Sequence, residues 1–183
     1  MIISISGTPG SGKSTVGKAL AKRLNLKRYY IGGILREQAK ERGMTIQKFL
    51  KKGETDPSID KDIDEYQRNL GETKDNFLIE GRTSFIMIPH SIKIYLNVDT
   101  HTAAERIYND TQERNEGKSR SIKAVENKIH ERMESDKKRY IKYYGTDAFD
   151  ENNYDIVIDT TSLTPDEVIE DIIKRLEILR SSP

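Results

Sequence analysis

Short runs of consecutive apolar residues alternate along the chain with longer stretches whose apolar residues recur every three or four positions. Met1-Ile2-Ile3-Ser4-Ile5-Ser6 reads as a buried strand, followed by turn material from Gly7 to Gly12. From Lys13 the period lengthens: Val16, Leu20 and Leu24 share one helical face, and Asn25 can stop that helix. Lys27–Ile31 predicts a second strand, and helical pieces follow around Ile34–Arg42 and Thr45–Lys52. Asp56-Pro57 predicts an N-cap with Pro at the first helical position, opening a helix that carries Ile59, Ile63, Tyr66 and Leu70. Further strands are predicted at Asn76–Glu80, Ile92–Val98 and Tyr154–Asp159. Residues 100–144 read as polar helix with a break near Asn115–Ser121. Thr164-Pro165-Asp166-Glu167 is a capping box, and Ile169, Ile172, Ile173, Leu176 and Leu179 form the expected buried stripe of a last helix. Strands alternating with helices at these lengths predict an α/β fold, a parallel sheet covered on both faces. The polar helices at 34–72 and 100–144 are insertions between strands, suited to small subdomains that move over a site.

Composition narrows the chemistry. The 183 residues include no Cys, so disulfides, thiolate metal sites and cysteine nucleophiles drop out. Three scattered histidines (His90, His101, His130) speak against a His-built metal site. No apolar run approaches the roughly 18–20 residues that span a membrane, and the N-terminus lacks a secretory pattern. A cytoplasmic protein without membrane partners is expected. The net charge of +1 hides an arrangement: residues 1–53 carry twelve basic and two acidic side chains, whereas 54–80 and 146–183 are acidic. A solvated helix face is the common reason for such runs, and an anionic ligand is the other.

Gly7-Thr8-Pro9-Gly10-Ser11-Gly12-Lys13-Ser14 satisfies G-x-x-x-x-G-K-[ST] in its required context, strand before and helix after. Glycines let successive backbone N–H groups turn toward phosphate oxygens, and the following helix adds its positive end. Lys13 is placed for the β/γ-phosphates and the Ser14 hydroxyl for Mg²⁺. The tetrapeptides Asn-Lys-x-Asp and Asp-x-x-Gly of a GTPase do not occur in the sequence. A kinase for a phosphate-bearing acceptor needs several converging arginines, because phosphoryl transfer is catalysed by positioning and charge neutralisation. Arg36 follows Gly32-Gly33, and Arg82 follows the strand that ends in Glu80. Arg114 lies at the helical break, and Arg132, Asp136 and Arg139 share one helical face.

With these segments the chain resembles the nucleoside monophosphate kinases, most closely the short archaeal-type cytidylate kinases. The resemblance rests on Gly7–Ser14, Gly32–Arg36, Arg36-x₂-Ala39-x₃-Gly43-Met44, Glu80-Gly81-Arg82, Glu134-Ser135-Asp136-x₂-Arg139-Tyr140-x₃-Tyr144-Gly145 and Tyr154-Asp155-x-Val157-Ile158-Asp159-Thr160. It implies a P-loop kinase fold with a five-stranded parallel sheet. A core of about 1–31, 73–99 and 146–183 would carry an acceptor-binding arm at about 32–72 and a lid at about 105–144. The reaction implied is ATP + CMP to ADP + CDP, with dCMP as a second candidate acceptor; a kinase for AMP, UMP or a small metabolite is the alternative within the same class. Gly7, Thr8, Pro9, Gly10, Ser11, Gly12, Lys13, Ser14, Thr15 and Arg106 would bind ATP, with Thr160–Pro165 near its adenine. Arg36, Arg82 and Asp136 would bind the acceptor, and Lys13, Arg114, Arg132 and Arg139 would serve the transfer. Mg²⁺ would be held by Ser14 and, through water, by Glu80, with Asp99 and Asp159 as competing acids. Gly33 departs from the short forms, which commonly have Asp there. Partners would be ATP and a nucleoside monophosphate acting on a monomer, with nucleic acid as the alternative for the basic segments.

Overall fold

A computed structural model describes residues 1–110 and 119–181. The strands β1 (Ile2–Gly7), β2 (Lys27–Tyr30), β3 (Phe77–Glu80), β4 (Ile92–Asn97) and β5 (Ile156–Asp159) form one parallel sheet in the order β2-β3-β1-β4-β5. The helices are α1 (Lys13–Arg23), α2 (Ile31–Glu41), α3 (Ile46–Lys52), α4 (Ser58–Thr73), α5 (Ser84–Met87), α6 (Thr100–Asn109), α7 (Ile122–Tyr144) and α8 (Pro165–Ser181).

Strand alternation sorts the side chains onto two cores. Ile3, Ile5 and Leu78 pack with Leu20 of α1 and Ile172 of α8 on one face. Ile2, Phe77 and Ile79 pack with Leu70 of α4 and Ile88 on the other. The strand order reverses at β1, so the crevice beyond the carboxyl ends of the strands lies beside the loop Gly7–Ser14. Register puts Tyr30 beside Glu80, Glu80 beside Ile5, and Gly7 beside Leu96, all at that end.

Three local expectations change. Helix α2 begins at Ile31, directly after β2, rather than around Ile34, so Gly32 and Gly33 lie inside its first turn. Pro57 precedes α4 instead of opening it, while Asp56 Oδ1 accepts from the Ser58 backbone N–H at 3.1 Å. Leu179, expected in the buried stripe of α8, is exposed. The short α5 had no periodic signal to announce it.

The long helix α7 is capped by Ser121, whose Oγ accepts from Ala124 N–H at 3.2 Å, and ends at Gly145 in the left-handed region. Its buried stripe changes chemistry along its length. Val125 and Ile129 pack on Ala103 and Ala104 of α6, whereas Asp136, Arg139 and Tyr140 carry the same face onward as a polar seam. No helix among the described residues is long and apolar enough to cross a membrane.

Candidate active site

The loop after β1 is shaped by close approaches. A side chain at Gly7 would collide with the Leu96 carbonyl, and Thr8 N–H donates to that same oxygen at 3.1 Å. Gly10 and Gly12 both take φ of 81°, a left-handed conformation that L side chains rarely adopt. Gly12 caps α1 without a side-chain hydrogen bond, and the first amides of a helix have no acceptor within it. Lys13 folds over the loop, its Nζ donating to Gly7 O at 2.8 Å and Thr8 O at 2.6 Å and lying 3.3 Å from Ser11 Oγ. Burial, followed by the charges of Arg82 and Arg132, lowers the Lys13 pKa well below the usual lysine range, while Glu80 opposes the shift. A half-buried lysine pressed by neighbouring arginines marks a site suited to polyanions.

Alternation along β3 puts Glu80 on the Leu78 face, against α1. Gly17 of α1 makes room for it, since a Cβ there would run into the Glu80 carboxylate. Burial raises the Glu80 pKa, and its contacts with Arg28 and Ser14 hold it back. Arg28 Nε forms an ion pair with Glu80 Oε1, whereas Oε2 is buried without a hydrogen-bond partner. Asp99 and Asp159 are exposed and occupied as local caps, accepting from Thr102 N–H at 3.0 Å and Thr161 N–H at 2.9 Å. Neither lines the cavity above the loop; Glu80 and Ser14 do.

That cavity has a volume of about 360 Å³ and gathers cations from five places along the chain. Besides Lys13, it is lined by Arg36 of α2, Arg82 after β3, Arg106 of α6 and Arg132 of α7. Arg106 is tethered to the loop after β5, donating to Thr160 O at 2.8 Å and Thr161 O at 3.2 Å. Thr160, Leu163 and Pro165 line the cavity beside it. Arg114 lies outside the described residues.

Asp136 and Arg139 lie behind this wall, both 1% exposed. Asp136 Oδ2 sits 3.2 Å from Arg82 Nε, and Oδ1 accepts from Arg139 Nη2 at 3.0 Å. Arg139 also donates to Leu50 O at 2.8 Å and Tyr140 Oη at 2.9 Å, and its Nε lies 3.2 Å from Asp60 Oδ2. Burial works against the Arg139 charge, but Tyr140, Asp136 and Asp60 outweigh it and raise its pKa. Burial lifts the Asp60 carboxyl to about 6 against the pull of Arg139. Sequence reasoning missed Asp60, Arg28 and Tyr30. The first looked like one acid among many in an acidic helix, and the other two like ordinary strand residues.

The model of the cytidylate kinase-like family matches residues 2–162. The chain belongs to that family. Among curated relatives of the family, the cytidylate kinase of Archaeoglobus fulgidus is 34% identical, covering 97% of this chain and 96% of its own length. That of Sulfurisphaera tokodaii is 40% identical over 92% and 91%, and that of Methanocella arvoryzae 36% identical over both full lengths. Among solved structures, the shikimate kinase of Bacteroides thetaiotaomicron superposes with a TM-score of 0.67 at 18% identity, covering 100% of this chain and 99% of that one. The latter likeness concerns the fold alone.

Proposed function

We propose that the protein is a cytidylate kinase, moving the γ-phosphoryl of ATP to CMP to give ADP and CDP. The observation that carries this reading is the convergence of Lys13, Arg36, Arg82, Arg106 and Arg132 on one cavity above the Gly7–Ser14 loop, in a chain of this family. The loop and Lys13 hold the donor phosphates, and Arg106 with Thr160–Pro165 flanks the donor nucleoside. Arg36 and Arg82 take the acceptor phosphate, and residues 32–72 form the acceptor arm. Residues 105–144 form the lid, from which Arg132 reaches the transferring phosphoryl group.

Arg139 and Asp136 act from behind, with Asp136 holding Arg82 and Arg139 in place and standing one side chain away from the acceptor. Ser14 and the unpartnered Oε2 of Glu80 fit a hard divalent cation that keeps most of its coordination for phosphate and water. Mg²⁺ bound there would neutralise charge on the phosphates. The acceptor oxygen is already ionised, so no general base is required. A closed arm and lid exclude water as a competing acceptor.

An ADP-release assay across CMP, dCMP, UMP, AMP and shikimate tests the reading. Selective turnover of CMP supports it; ATP hydrolysis stimulated by RNA and by no nucleotide acceptor sinks it.

A further inference from the structure

Tyr30, the last residue of β2, sits at the junction of two sets of contacts that the roles assigned above leave unused. Its register partner is Glu80, and its side chain lines the cavity. Arg36 Nη1 donates to Tyr30 Oη at 2.5 Å and to Gly32 O at 3.1 Å, so the guanidinium is held from two directions. The Arg36 and Arg28 guanidinium carbons lie 5.8 Å and 5.0 Å from the Tyr30 ring centroid, within cation–π range. Arg28 is in turn paired with Glu80, and its Nη2 lies 3.4 Å from Ser14 O. A line of contacts thus runs from the phosphate loop through Arg28 and Tyr30 to Arg36.

The ring keeps this place because residue 33 is glycine. A Cβ on Gly33 would come within 2.8 Å of Tyr30 Cδ1, closer than real side chains approach. Tyr30 therefore occupies space that a side chain at 33 would otherwise claim. Arg36 cannot supply a single rigid point alone, because its long side chain has many rotamers.

We propose that Tyr30 is a positioning residue for the acceptor. Its phenol accepts from the Arg36 guanidinium and so orients that guanidinium toward the phosphate monoester it holds. The proposal rests on the reading of Arg36 as a ligand of the acceptor phosphate. Gly33 is the condition that lets the ring stand there.

The test is steady-state kinetics of wild type, Y30F, R36A, Y30F/R36A and G33A, with CMP and ATP varied separately and folding checked by circular dichroism. Y30F is expected to raise KM for CMP about tenfold, as for loss of a hydrogen bond to a charged group, with a smaller change in kcat and KM for ATP within about twofold. G33A, which keeps the hydroxyl but crowds the ring, is expected to raise KM for CMP in the same direction. In the double variant KM for CMP should be no higher than in R36A, because the phenol works through that arginine. An R36A enzyme with raised KM beside a Y30F enzyme with wild-type KM overturns the role of Tyr30 and leaves the acceptor site standing. Independent, multiplying effects of the two substitutions also overturn it. An R36A enzyme with unchanged KM for CMP overturns the acceptor reading itself, and the Tyr30 proposal falls with it.

Discussion

Arg82 Nε lies 3.2 Å from Asp136 Oδ2, joining the end of β3 to the middle of α7 through a carboxylate that is 1% exposed. The other oxygen of Asp136 holds Arg139, so one acid fixes two arginines. Removing one member of such a buried set leaves uncompensated charge, which costs about 3–5 kcal/mol. D136A is therefore expected to lower Tm by roughly 10 °C or more in a chain of this size. Differential scanning calorimetry reads this directly, and an unchanged Tm would show the pair to be idle.

Arg132 and Arg139 share a helical face but not an environment, and their variants should separate. Arg132 lines the cavity, and R132A should cut kcat by roughly 10²–10⁴ as for a catalytic arginine, with Tm within about 2 °C of wild type. Arg139 is the largest fully buried side chain among the described residues and ties α7 to the end of α3 through Leu50 O. R139A should lose stability on the order of 3 kcal/mol as well as turnover. Parallel kinetics and thermal melts of the two variants check this, and the opposite assignment of effects would reverse their roles.

Asp60 gives a pH dependence with a definite sign. Burial raises its carboxyl from 3.8 to about 6 in the folded protein. Between those values the folded chain binds more protons than the unfolded one, so this group favours folding as pH falls through the window and loses that contribution as pH rises through about 6. The stability difference between wild type and D60N should therefore grow in favour of wild type from pH 7 down to pH 4. The slope should be at most about 1.4 kcal/mol per pH unit. Urea melts across that range measure it, and a flat difference would place Asp60 at its ordinary pKa.

Glu80 predicts a metal phenotype. E80Q keeps the shape against Gly17 but removes the charge proposed to hold water on the cation. The Mg²⁺ concentration for half-maximal rate should rise about tenfold, the lower end of the effect of removing such a partner, with partial rescue at high Mg²⁺. An unchanged Mg²⁺ titration would assign Glu80 to the Arg28 ion pair alone.

Much of this was legible in the sequence because local physics writes it there. The loop Gly7–Ser14, the strand before it and the helix after it follow from glycine spacing and a change of hydrophobic period, and they folded where expected. The face shared by Arg132, Asp136 and Arg139 was also legible, since helical period alone fixes it. What that face meets was not legible. Arg139 is buried because the end of α3, Asp60 and Tyr140 close around it, and these partners are up to 89 residues away. Tyr30 and Arg28 escaped notice because a four-residue strand gives no hint of which side chains overhang its end. Tyr143 donates its hydroxyl to Gly53 O at 2.9 Å, a link that only the docking of α7 on the α3–α4 turn creates.

The central claim is transfer of phosphate to CMP, and ³¹P NMR of ATP and CMP incubated with the enzyme and Mg²⁺ reads it without a coupling system. Cytidylate kinase activity predicts the paired resonances of CDP growing at the rate at which the ATP γ-phosphate signal is lost, with no inorganic phosphate in step. Loss of γ-phosphate to inorganic phosphate with the CMP resonance unchanged would contradict it.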